Sequence, residues 1–195
     1  MKKHIFETAL LLGLIFSVLT AALAAETQDN LSKKMIRLHI IAHSDSEADQ
    51  ATKLKVRDAV LSKMEKLTRD CADISETRTV IYENLGLFED IANEICRKED
   101  LLYSAKAELS QSHFPTREYE TFTLPAGRYE ALKIKLGKAS GKNWWCVLFP
   151  PLCVSAAESV EEFESFGLSE KEAKFITSEK TEFKFKLLEI LDHVL

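Results

Sequence analysis

The sequence predicts a single α/β (α+β) domain, a mixed sheet of about five strands with helices packed against one face. Three features carry this expectation: a period-2 stretch at 35–42 that passes directly into a helix-period stretch at 47–67, a return to period 2 near Tyr103, and a second half of strand-like runs separated by Gly and Pro turns. At 195 residues the chain has room for one ordinary domain. Hydrophobic residues at 46% beside charged residues at 29% can bury enough apolar surface to offset chain entropy, which excludes a disordered or fibrous chain.

The chain opens on Lys2 and Lys3, an apolar run at 9–19, and small residues around Ala22-Leu23-Ala24 before Glu26. That is the order of a secretory signal peptide, so 1–24 are assigned to it, with cleavage after Ala24. The run is shorter than the roughly 20 residues of a membrane span, but the alanines up to Ala25 lengthen it, and an uncleaved anchor is the alternative. No cysteine follows it to carry a lipid. Residues 25–34 are polar and read as a mobile leader, leaving 35–195 as the domain. The formal charge of −5 becomes −6 once two lysines and one glutamate leave with the signal peptide, which argues against a nucleic-acid partner.

In the first strand Ile36, Leu38, Ile40 and Ala42 alternate with Arg37 and His39, the pattern of one buried face. The segment Ser44-Asp45-Ser46-Glu47-Ala48-Asp49 supplies capping oxygens and early acids suited to the positive end of a helix. The helix at 47–67 turns Val56, Val60, Met64 and Leu67 inward and keeps Lys53, Lys55, Arg57 and Asp58 for a polar flank. A second helical region starts near Ser75, with Gly86 marking a break, so two helices or one kinked helix fit. Tyr103, Ala105, Ala107 and Leu109 begin the next strand. Runs at 119–124, 128–136 and 144–154 follow, separated by Pro125-Ala126-Gly127 and by 137–142. The tail from Glu158 is charge-rich and partly helical; around Phe183 and Phe185 strand and helix patterns compete.

Export gives the four cysteines a compartment in which disulfides persist. Cys146 and Cys153 flank Pro150-Pro151, a reversal between two short apolar runs, and are expected to form a bridge. Cys71 and Cys96 fit buried free thiols equally well. His39 and His43 with Asp45 have a spacing that is weak evidence for a metal, and no metal or cofactor is expected. A cysteine nucleophile with His113 or His193 would be removed by the bridge, no phosphate loop or nucleophile elbow is present, and no catalytic residue is assigned. Adjacent strand residues point to opposite faces, so of Trp144 and Trp145 one is left outside the core; it is a candidate contact anchor, or else packs under the tail. The polar row carrying Asp49, Lys53 and Arg57 is the second candidate contact face, or a solvated helix flank.

Two stretches carry a resemblance to a known family. One is Ile36-Arg37-Leu38-His39-Ile40-Ile41-Ala42-His43-Ser44-Asp45-Ser46, continuing through Asp49-Gln50 to Lys53-Leu54-Lys55-Val56-Arg57-Asp58-Ala59-Val60. The other is Pro125-Ala126-Gly127-Arg128-Tyr129 with Gly141-Lys142-Asn143-Trp144-Trp145-Cys146-Val147-Leu148-Phe149-Pro150-Pro151-Leu152-Cys153. Together they resemble the stage II sporulation protein R family, exported signalling proteins of endospore-forming bacteria, over 36–154. His43 stands where that pattern usually has Asn, and Glu120 where a Gly often follows Phe114-Pro115-Thr116-Arg117. The resemblance implies a protein made in the forespore and secreted into the space between forespore and mother-cell membranes. It further implies a membrane-embedded aspartic protease as partner, which, once activated, processes a precursor sigma factor. The membrane itself is touched only through the signal peptide. The competing class is an exported hydrolase acting on the cell wall or on the protease precursor.

Overall fold

In the computed structural model, residues 2–152 and 159–177 are described. Helix α1 (Lys2–Lys33) precedes strand β1 (Ile36–Ile41), which leads into α2 (Glu47–Thr68), α3 (Ile74–Glu83) and α4 (Leu85–Lys98). Strand β2 (Ala105–Phe114), the short β3 (Arg117–Glu118) and β4 (Thr123–Leu124), β5 (Gly127–Leu136) and β6 (Asn143–Phe149) follow, then α5 (Val160–Ser165) and α6 (Glu170–Thr177). The main sheet has the order β2-β5-β1-β6, with β1 parallel to β5 and the other pairs antiparallel. The fold is therefore a mixed α/β body, as the periodicities indicated.

The strand expected at 119–124 is instead the β3–β4 hairpin, because Tyr119 N donates to Phe122 O at 2.8 Å and their rings stack at 4.6 Å, closing a tight turn. Helix α2 starts where its caps predict: the Ser46 side chain accepts from Asp49 N, and Val56, Val60 and Met64 are buried. The break in the second helical region falls at Asn84, the C-cap of α3 and N-cap of α4. The alternating phenylalanines at 183 and 185 lie outside the described residues.

The expectation of helices against one face needs correction. Residues 36–40 are all buried, so β1 carries a core on each side. One face holds Ile36, Leu38, Ile40, Val56, Ile81, Phe88 and Leu132 under α2, α3 and α4. The other holds Met35, Phe114, Leu124, Tyr129, Val147 and Phe163. The last turns of α1 belong to this second core. Thr27 is 6% exposed and Leu31 fully buried, and Gln28 hydrogen-bonds Tyr129. Within the segment expected as a mobile leader, residues 25–33 are the last turns of α1, where Thr27 and Leu31, four residues apart, place one contact stripe on the sheet. Further back, Leu10, Leu14 and Phe16 are exposed, and the stretch from Glu7 to Lys33 is long and apolar enough to cross a membrane, which is compatible with a signal peptide.

Candidate functional site

The family-like residues gather at two places, the loop end of β1 and the edge strand β6. At the first, the β1–α2 loop is tied to the β5–β6 hairpin across a gap of nearly a hundred residues. Gly141 N donates to Ala42 O at 3.0 Å, Lys142 N to Asp45 Oδ1 at 2.6 Å, Lys138 N to His43 Nδ1 at 3.0 Å and Ser140 Oγ to His43 O at 2.8 Å. The approach is close enough that a Cβ on Gly141 would stand 2.2 Å from Ser44 O, and Gly137, at φ +53°, faces His43 in the same way.

Asp49 sits at the centre of this knot. Tyr103 Oη donates to Oδ1 and Ser44 Oγ to Oδ2, both at 2.5 Å, while Asp49 N donates to Ser46 Oγ. Burial pushes its carboxyl up, but the hydrogen bonds from Ser44, Tyr103 and Ser46 more than offset that and hold it below the usual carboxylate range. The same contact, on top of burial, raises the Tyr103 phenol. One turn on, Lys53 Nζ donates to Gln50 Oε1 at 2.6 Å and to Lys142 O at 3.1 Å, and burial lowers its pKa. Asp49 and Lys53 are each 5% exposed. They do not form the solvated flank that the sequence suggested; tertiary contacts from Tyr103 and the β5–β6 hairpin cover them. Tyr103, Ser44 and Gln50 were missed from sequence, since each matters through a partner on a different element.

At the edge strand the two tryptophans point to opposite faces, as period 2 requires, but neither is left outside: both are half-buried. Trp144 packs on the α2 side, with the Arg57 guanidinium 4.3 Å over its ring and its Nε1 buried without a partner. Arg57 also pairs with Asp58 at 2.6 Å. Trp145 lies in the other core, stacked on His39 at 3.8 Å, with Phe114 at 4.7 Å and Arg117 at 6.0 Å. Of the five candidate contact residues, Trp144, Trp145 and Arg57 therefore keep exposed surface, while Asp49 and Lys53 hold the loops beneath them.

His39 and His43 are not a ligand pair. His39 Nε2 meets Asn143 Oδ1 at 2.8 Å, whereas His43 stacks on Tyr103 at 4.2 Å. Among the described residues no group of His, Cys, Asp and Glu is placed to hold a metal. Cys71 and Cys96 are free thiols; Cys146 is 5% exposed, and Cys153 and His193 lie outside the described residues. At the far end of β6, past the cis Phe149-Pro150 bond, a cavity of about 550 Å³ opens between Cys71, Asp73, Ile74, Leu148, Phe149 and Phe166.

Burial lowers the His39 imidazole to about 4, aided by Lys133 and Arg37 and only partly opposed by Asn143. The unfolded state then binds the extra proton first, so His39 costs no stability above about pH 6.5 and removes stability as pH falls from there toward 4. Urea melts of wild type and His39→Gln between pH 7.5 and 4.5 should diverge by up to about 3 kcal/mol, with the wild type losing more. Parallel curves would show that His39 does not titrate in this way.

The sequence model of the stage II sporulation protein R family matches residues 32–159. The stage II sporulation protein R of Bacillus subtilis (strain 168) is 36% identical over 189 residues, covering 90% of this chain and 84% of that relative. The chain belongs to the stage II sporulation protein R family. Membership places it among sporulation proteins and spans both the Asp49 knot and the tryptophan strand. No solved structure matches the chain significantly.

Proposed function

We propose that the chain is a secreted intercompartmental signal of sporulation that works by binding rather than by catalysis. On this reading its partner is the extracytoplasmic part of a membrane-embedded aspartic protease, which the signal activates and which then processes a precursor sigma factor. Its place of action is the space between the forespore and mother-cell membranes, reached through the N-terminal signal peptide. The observation that carries the reading is the 36% identity over 90% of the chain to the Bacillus subtilis stage II sporulation protein R. The contact surface we propose is Trp144 with Arg57 stacked on it, next along α2 to the Asp49 and Lys53 hydrogen bonds that tie the loops together; the Trp–Arg stack supports this choice. A half-exposed Trp–Arg stack on a rigid strand is the composition of an interface anchor. A bridge between Cys146 and Cys153, readable by non-reducing peptide mapping, would restrain the chain just after β6.

The test is co-expression of the full chain with the protease, scored by sigma-factor processing and by co-purification. Trp144→Ala and Arg57→Ala should each remain folded, with Trp144→Ala weakening the complex by about 2 kcal/mol, roughly thirtyfold in affinity. Folded variants that bind and activate at wild-type level would rule this surface out as the contact.

A further inference from the structure

Arg37 is fully buried, yet no carboxylate meets it among the described residues. Its guanidinium lies 3.9 Å from the Phe114 ring centroid and 4.9 Å from that of Tyr129. Nε donates weakly to Cys146 O at 3.4 Å, Nη2 donates to Tyr119 Oη at 2.6 Å, and Nη1 is buried with no partner. The charged side chain that acts on it is also positive: Arg117 opposes Arg37 rather than neutralising it. A buried cation without a counter-charge is among the most costly features a fold can keep, and aromatic faces offset only part of that.

A second orphan lies on the same sheet face, two residues along β1. His39 donates through Nε2 to Asn143 Oδ1, which leaves Nδ1 as a buried acceptor with no partner. The cover over this region is slight. Tyr119 belongs to the β3–β4 hairpin, whose strands are two residues each, and Arg117, Glu118 and Glu120 around it are exposed. The Tyr119 hydroxyl is the only hairpin group bonded to the guanidinium among the described contacts.

We infer that Arg37 anchors a carboxylate-binding site: the Nη1–Nη2 edge receives both oxygens of one carboxylate, which displaces the Tyr119 hydroxyl. The guanidinium fork matches a planar two-oxygen anion, and one buried positive charge balances one negative charge. A phosphate fits less well, since it is tetrahedral, more highly charged, and would need donors that Phe114, Tyr129 and Trp145 do not supply. Arg117 at the rim would draw the anion in. The ligand is either a small free carboxylate or an Asp or Glu side chain in a peptide. The inference does not depend on the protease reading, because it concerns the exported chain alone.

The test is NMR titration of the full-length exported protein with sodium acetate, against sodium chloride at equal ionic strength, following the arginine Nε–H and tryptophan Nε1–H signals. Acetate should give saturable shifts at Arg37 and Trp145 that chloride does not. Tyr119→Phe, which removes the competing hydroxyl, should bind acetate about fivefold more tightly. Arg37→Met should fold but show no saturable shift. A peptide carrying one internal Glu and blocked termini separates the sources: tighter binding than acetate assigns the site to a protein partner, weaker binding to a small carboxylate. Absence of saturable acetate shifts in both wild type and Tyr119→Phe, equal shifts with chloride, or undiminished binding by Arg37→Met would overturn the site. If Arg37→Met does not fold, the wild type and Tyr119→Phe titrations decide.

Discussion

Trp145→Ala is expected to cost about 2–4 kcal/mol of folding stability, toward the lower part of the range for deleting a large aromatic, because the ring is half-buried but packs on a core that cannot fully collapse around the gap. The ring is a shared wall: it stacks on His39 and tilts against Phe114, the ring that in turn lies on the Arg37 guanidinium. Removing it would leave the buried imidazole and the Phe114 ring without the surface they pack on. Trp144 is half-buried to the same degree but has a different neighbour, the flexible Arg57 guanidinium in place of the His39 and Phe114 rings, and Trp144→Ala should cost less. Urea unfolding of the two variants side by side measures the difference. A loss below about 1 kcal/mol for Trp145→Ala would mean that this core can close over the gap. The pair therefore divides its work, one ring holding the sheet face and the other available to a partner.

Much of this was legible because it is local. Alternation fixed β1, β5 and the opposite facing of Trp144 and Trp145, and the Ser46 cap with its early acids fixed the start of α2. What escaped was decided by distant partners. Arg37 and His39 occupy the positions that in a one-sided strand face water; aromatic rings from β2, β5 and β6 and the Asn143 side chain bury them instead. Asp49 and Lys53, one turn apart and of opposite charge, have the spacing of a solvated helix flank. Their burial depends on Tyr103 and the Lys142 carbonyl, 54 and 89 residues away. The polar composition of 25–34 concealed a two-residue contact stripe, Thr27 and Leu31, whose spacing of four was the available signal.

Asp49→Ala should be the most damaging change in the loop cluster. The carboxylate receives the hydroxyls of Ser44 and Tyr103, both half-buried, and deleting it removes two charge-assisted hydrogen bonds whose donors water can reach only in part, so a total loss of about 2–3 kcal/mol is expected. It also removes a negative charge from the first turn of α2, where the helix dipole favours one. Asp49→Asn keeps the shape and one acceptor oxygen and should lose less. The pH dependence has a definite sign. Hydrogen bonds hold the Asp49 carboxyl low in the folded state, so its contribution is present above the unfolded carboxylate pKa and is lost as pH falls through the folded one. The gap between wild type and Asp49→Asn should accordingly narrow in acid. A double-mutant cycle with Tyr103→Phe isolates the contact: the two losses should fall short of additivity by about 1 kcal/mol or more, because either change removes the same hydrogen bond. Strict additivity, or an Asp49→Ala variant as stable as wild type in urea, would show that the knot between the β1–α2 loop and Tyr103 does not depend on this carboxylate.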